Sequence, residues 1–383
     1  MDTLTTQELE NLMRAVFSLQ KSDKRLAIII DVPDEKVPDH GKWQQRRDMA
    51  FDWYVNLNQV KTNLELEAVD LVYYPNVHSN NANLPQKAFL YDGTPQSATG
   101  SNRVVEDNTI DFENYLSTCQ LVIALTQFSA TAPLKLLSKK YNFRAITMPG
   151  FSLEMIPALK LDYEEINRRV NEIKKILDKA ISMDINFLVD EKTEYHCHFD
   201  LRYRTAHASG GRFPDPGTAG NLPSGESYIV PYEGELEDKS ESAGILPVQF
   251  GDEIVLYKLE NNVAQQVISK GPASAEEAQK IAEEPAYANI AELGFGVLKD
   301  FGVLPTGEIL LDEKLGLHIA FGRSDHFGGA VGVSNFSSSE KVVHIDRIYI
   351  PETQNRILAQ KVLLNFENKE PFVLMEQNEY TIF

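Results

Sequence analysis

Four short apolar runs, spaced by helix-like stretches, constrain the first half of this chain most. Leu26–Asp31 (LAIIID), Ala68–Tyr74 (AVDLVYY), Leu121–Thr126 (LVIALT) and Phe143–Met148 (FRAITM) are rich in β-branched or aromatic residues and bounded by polar turns, the pattern of strands. Helical patterns cover Gln7–Leu19, Gly41–Val60, Phe112–Cys119 and Ala132–Tyr141. Strands this apolar, alternating with helices, predict a parallel sheet covered on both faces. Ser79–Gly100, rich in Asn, Gln, Pro and Gly, reads as a long surface loop.

An amphipathic helix follows over Tyr163–Ile181, with Ile166, Val170, Ile173 and Leu177 on one stripe. Beyond it the style changes to short strands with Gly and Pro at the turns: Asn186–Val189, Tyr195–Tyr203, Tyr228–Pro231, Gly244–Phe250, Ile254–Glu260, Val263–Ser269, His318–Phe321 and Val342–Ile350. Ser274 and Glu277 have capping-box spacing and predict the start of a helix that Pro285 stops. A chain of 383 residues exceeds one small domain. The expectation is an α/β N-terminal domain with a parallel sheet, residues 1–184, and a β-rich α+β C-terminal domain, residues 185–383.

Asp and Glu number 56 against 37 Lys and Arg, a formal charge of −19. A surface this acidic repels phosphate backbones and anionic lipid, so neither nucleic acid nor membrane is an expected partner. Two cysteines, Cys119 and Cys197, make no disulfide framework, which suits a reducing cytoplasm. The first residues carry acids and lack an apolar core, unlike a signal peptide, and no run of 18 apolar residues predicts a spanning helix.

Chemistry is sought beyond residue 190, where six of the eight histidines lie. In Val343-His344-Ile345-Asp346, strand alternation puts His344 and Asp346 on one face, an imidazole and a carboxylate suited to a divalent transition metal. The plain alternative is a solvated strand face. Glu313 and His318 flank a Gly turn into a strand, Glu292 sits in apolar, Gly-rich Ala291–Gly296, and Glu226 precedes Tyr228–Pro231. A carboxylate among apolar residues is costly unless a cation or hydrogen bonds hold it. His196, His198 and Asp200 also share a strand face, but Arg202 follows on that face and a structural ion pair is the preferred reading. Cys197, between those histidines, points away from them and forms no Cys–His dyad. No Gly-x-Ser-x-Gly elbow and no phosphate-cradling glycine motif occurs.

Taken in order, NLPSGE, AELGFG, LLDEKLGLHIAFGR and HID resemble the thermophilic-type metallo-aminopeptidases (peptidase family M29) over about residues 195–350. That resemblance implies two divalent metal ions (Zn, Co or Mn) held by Glu226, Glu292, Glu313, His318, His344 and Asp346, with Glu292 bridging. It implies a homodimer that removes N-terminal residues from short peptides by a metal-activated hydroxide. A tyrosine of those peptidases has no counterpart here; Asp325 or His326 stands in its place, with His326 the better proton shuttle.

A second group sharing that scaffold is similar too: ring-cleaving dioxygenases acting on 2,5-dihydroxypyridine, which hold one Fe(II) through two histidines and one carboxylate. The present chain keeps His344 and Asp346 but has Glu292 where the other histidine is expected, with His318 nearby. A catalytically silent relative that retains a metal or ligand is the third reading.

Overall fold

The computed structural model describes residues 3–93 and 108–383. The chain forms two compact units, residues 1–167 with 209–224, and residues 168–208 with 225–383. The change of unit falls inside the helix Tyr163–Leu177, whereas the sequence put it at 184/185, where the second style of strand begins. Residues 209–224 return to the first unit and supply it with a strand.

The first unit is built on a mixed sheet. Its strands are β1 (Arg25–Val32), β2 (Ala68–Pro75), β3 (Lys87–Leu90), β4 (Thr109–Asp111), β5 (Leu121–Ala124), β6 (Arg144–Thr147) and β10 (Ala219–Asn221), in the order β10-β6-β5-β1-β2-β3-β4. The five strands from β10 to β2 are parallel, and β3 and β4 run antiparallel at one edge, so the expected parallel sheet is corrected to a mixed one. β3 lies inside the expected loop Ser79–Gly100, whose residues 94–100 fall outside the described ones. Lys87 and the short length of β3 hid it from a hydrophobicity reading. In the middle of the sheet Leu26 to Ile30 and Leu121 to Ala124 are fully buried, the reason for their unbroken apolar sequence.

Asp31, one residue before the end of β1, lies in the core. Its carboxylate accepts the backbone N–H of Gln127 (2.7 Å) and Phe128 (3.0 Å) and the Trp43 indole N–H (3.0 Å). These bonds fasten β1 to the loop after β5 and to the helix Gly41–Val60, and satisfy a group whose burial pushes its pKa up. The helix Thr6–Phe17 starts at a capping box: Thr5 accepts from the Glu8 N–H, and Glu8 accepts from the Thr5 N–H at 2.8 Å.

The second unit holds two sheets. One is antiparallel, with β7 (Ser182–Val189), β8 (Thr193–Asp200), β12 (Ala243–Phe250), β13 (Glu253–Glu260), β14 (Val263–Val267), β18 (Ile357–Phe366), β19 (Lys369–Glu376) and β20 (Glu379–Tyr380) in the order β14-β13-β12-β8-β7-β18-β19-β20. The other contains β9 (His207–Ser209), β11 (Glu226–Ile229), β15 (Ile290–Gly296), β16 (Leu317–Gly322) and β17 (His344–Ile348), ordered β17-β16-β15-β11-β9.

The expected capping box at Ser274 is not the helix start. The helix Pro272–Glu283 begins with Pro at its first turn, and Glu253 of β13 caps it from outside, accepting the N–H groups of Ala273 (2.9 Å) and Ser274 (2.8 Å). Glu277 turns inward instead, accepting the Tyr257 hydroxyl at 2.7 Å and that of Tyr287. Among the described residues no helix is long and apolar enough to cross a membrane.

Candidate metal centre

One face of the five-stranded sheet carries nearly all of the candidate ligands. Side chains alternate faces along a strand, so Glu292, Gly294 and Gly296 of β15 share a side, as do His318, Ala320 and Gly322 of β16, and His344 and Asp346 of β17. The register aligns Glu292, Ala320 and Asp346 in one row across three strands, Gly294 opposite His318, and Glu226 of β11 opposite Gly296. The alternate residues Leu293, Phe295, Ile319 and Phe321 are buried on the reverse face. Small residues between the polar ones leave space above the sheet. At Gly294 this is a strict requirement, because a Cβ there would lie 1.8 Å from Nε2 of His318.

Both imidazoles are oriented by main-chain carbonyls, which can only accept. Nδ1–H of His318 donates to Gly316 O (3.2 Å) and Nδ1–H of His344 to Arg323 O (2.8 Å). Each therefore presents an Nε2 lone pair inward when neutral, the arrangement that fixes a metal-ligating histidine. His318 Nε2 lies 3.3 Å from Glu292 Oε1 and 3.5 Å from Glu226 Oε2. His344 Nε2 lies 3.3 Å from Glu292 Oε2 and 3.7 Å from Asp346 Oδ1. The result is two ligand triads that share Glu292: Glu226–Glu292–His318 and Glu292–His344–Asp346. The first triad is wholly buried, whereas the His344 side chain keeps 21% of its surface exposed.

The electrostatics fit a cation. Burial opposes ionisation of Glu292, but the two imidazoles hold its carboxyl far below the usual range. Burial likewise opposes charge on the imidazoles, yet the surrounding carboxylates push His318 up to about 9 and His344 well above its ordinary value. Glu226 Oε2 is buried with no hydrogen-bond partner, 3.5 Å from His318 Nε2, while the Lys314 ammonium at Oε1 supplies a positive charge to the same carboxylate. Imidazole nitrogen combined with carboxylate oxygen suits a divalent first-row ion. The residues therefore fit a metal cofactor.

Three candidates stand apart from these triads. Glu313 belongs to the turn Glu313–Leu315 and is engaged by Lys314, whose ammonium also reaches Glu226 Oε1 at 2.5 Å. Burial drives the Glu313 carboxyl up to about 8, with the neighbouring Glu226 and Asp346 charges acting in the same direction. Asp325 and His326 occupy the turn Asp325–Phe327. Asp325 is tied to Arg323 Nε at 2.5 Å, while the His326 ring packs edge-on to His344 with centroids 5.3 Å apart. Burial first, and then the charges of His344 and Arg323, press His326 down to about 4, so this imidazole is neutral at pH 7.

Sequence reasoning missed Lys314, which reads as one more charge among acids, and an aromatic wall beside His344. Phe327 stands edge-on to His344 at 5.5 Å, Tyr228 lies 4.7 Å from Phe327, and His207 stacks on Tyr228 at 5.1 Å. The glycines of AELGFG were the available signal for the close packing. The structural reading of the other histidine strand agrees with the geometry. His196 Nε2 (3.0 Å) and His198 Nδ1 (2.8 Å) both meet Asp184 Oδ1, and Arg202 grips Asp200 through two nitrogens. Cys197 is fully buried on the opposite side.

The chain matches no family model and no curated protein sequence. Among solved structures it is similar to 2,5-dihydroxypyridine dioxygenase from Pseudomonas putida KT2440, at 13% identity and a TM-score of 0.62, over 98% of this chain and 96% of that one. At that identity the likeness is one of fold. It nonetheless overturns the expected enzyme class: a dinuclear metallo-aminopeptidase is a hydrolase, whereas the solved structure that this chain resembles in fold is a dioxygenase. The tyrosine expected of a peptidase is also missing, with Asp325 and His326 in its place.

Proposed function

We propose that this protein is an Fe(II)-dependent dioxygenase that opens a hydroxylated nitrogen heteroaromatic ring such as 2,5-dihydroxypyridine. The observation that carries the reading is the Glu292–His344–Asp346 triad, the less buried of the two, with the His326 and Phe327 rings packed against His344. The likeness in fold to a dioxygenase of that substrate supports it.

A ferrous ion held by these three side chains would supply binding and activation of O₂, with coordination positions left open for substrate. The protein's own contribution is positioning. Arg323 O fixes the His344 tautomer, and Glu292, braced between two imidazoles, stays ionised. Phe327 and Tyr228 offer apolar ring faces and edges to a flat substrate, a geometry favourable by about 0.5–1.5 kcal/mol per aromatic pair. Neutral His326, next to His344, is placed to take the proton of a substrate hydroxyl. Relative to the two-histidine set of the dioxygenase type, Glu292 in place of an imidazole gives a harder, more oxygen-rich site, which suits Fe(II) or Mn(II) better than a soft ion.

The test is O₂ uptake by protein reconstituted anaerobically with Fe²⁺ and then given 2,5-dihydroxypyridine or a related ring diol. The expected result is one O₂ consumed per ring opened, with Zn²⁺-loaded protein inert. No uptake from any dihydroxylated pyridine or benzene with Fe²⁺ or Mn²⁺ would refute the proposal.

A further inference from the structure

Four carboxylates, those of Glu226, Glu292, Glu313 and Asp346, gather around two imidazoles, and the shared Glu292 gives the cluster two potential cation positions. One of those positions is already compromised. Lys314 is 2% exposed, and its ammonium holds Glu226 Oε1 at 2.5 Å and an oxygen of Glu313. The lysine is lodged there by close packing of its main chain on β15: a Cβ at Gly296 would lie 2.1 Å from the carbonyl carbon of Lys314. Tyr380 secures the same spot by donating its hydroxyl to Gly296 O at 2.8 Å.

We propose that Lys314 is a resident cation that restricts this centre to a single metal ion, by occupying the carboxylates on which a second ion would depend. A cation in the Glu226–Glu292–His318 triad would share Glu226 with the ammonium, in a buried setting where like charges are poorly screened. The Glu292–His344–Asp346 triad, which Lys314 does not touch, is the position left for the metal. The inference rests on the metal-centre reading above and adds to it the number of ions and the residue that sets it.

The experiment counts metal. Metal-free protein is incubated with excess Co²⁺, desalted, and analysed for cobalt per chain together with the visible spectrum of the bound ion. Wild type is expected to hold one ion, Lys314→Met two, and Lys314→Arg one. One ion in wild type and one in Lys314→Met overturns the inference while leaving the metal centre intact. Two ions in wild type also overturn it, and none in wild type sinks the centre itself. Should Lys314→Met fail to fold, Glu226→Gln decides: Glu226 is engaged by lysine and not by the ion, so the cobalt count stays at one and the spectrum is unchanged. A lost ion or an altered spectrum in that variant overturns the inference.

Discussion

Replacing Gly294 by alanine tests whether the crowded polar face is built as described. The added methyl would sit 1.8 Å from Nε2, 2.2 Å from Cε1 and 2.5 Å from Cδ2 of His318. The ring cannot yield cheaply, since His318 is fully buried and its Nδ1–H is committed to Gly316 O. Forcing extra volume into such a site costs typically about 1–3 kcal/mol. Driving the ring off its carbonyl leaves a buried donor unpaired for about another 1–3 kcal/mol. Gly294→Ala should therefore lose about 2–6 kcal/mol in urea unfolding of the metal-free protein when both costs are met. Gly41→Ala is the control for the change in unfolded-chain entropy, because a Cβ there meets nothing within 4 Å and the position opens a helix. It should be neutral or stabilising by up to about 1 kcal/mol. A Gly294→Ala protein as stable as the Gly41→Ala control would refute the packing argument.

Metal-free protein should lose thermal stability between pH 6.5 and 9. His318, at about 9 in the fold against an ordinary value of 6.5, stabilises fully below 6.5 and progressively less as pH rises through 9, and Glu313, raised to about 8, acts in the same direction. Stabilisation by added metal should grow over the same interval as fewer protons need displacing, and a melting temperature that stays level or rises would contradict this. Cys119, pushed up to about 12 by burial, and Cys197, fully buried and higher still, should resist a thiol reagent in native buffer at pH 8 and both react after denaturation; rapid native labelling would contradict the burial. Asp184→Asn should lower the His198 pKa toward the ordinary histidine value in an NMR titration, since the Asp184 hydrogen bond is what raises it, and an unchanged midpoint would argue against the pairing.

The legible parts of the sequence were those where burial writes one simple pattern. β1, β2, β5 and β6 lie inside a covered sheet and read as unbroken apolar runs. β3, β4 and β10 are short and partly polar, so their membership of that sheet depends on pairing that no local window records. β15 escaped notice as a strand for a reason tied to function: Glu292, Gly294 and Gly296 break its apolar pattern, and they do so because the polar cluster needs a ligand and two clearances there. β18 is obscured by register shifts near Ala359, Lys361 and Leu363 that spoil the two-residue period. The candidate ligands were found through ordered motifs more than through periodicity, and the structure gathers Glu226, Glu292, His318, His344 and Asp346 into touching triads. Lys314 had no sequence signal of its own. A lysine beside Asp312 and Glu313 reads as a solvated charge until folding places it 2.5 Å from an acid 88 positions earlier.

A metal ion is expected on the less buried side of this cluster, at Glu292, His344 and Asp346. Anomalous diffraction from crystals loaded anaerobically with Fe²⁺, with data collected on both sides of the iron edge, tests it directly. One peak per chain is expected within bonding distance of Glu292, His344 and Asp346. No peak there, or a peak seated instead between Glu226 and His318, would contradict it.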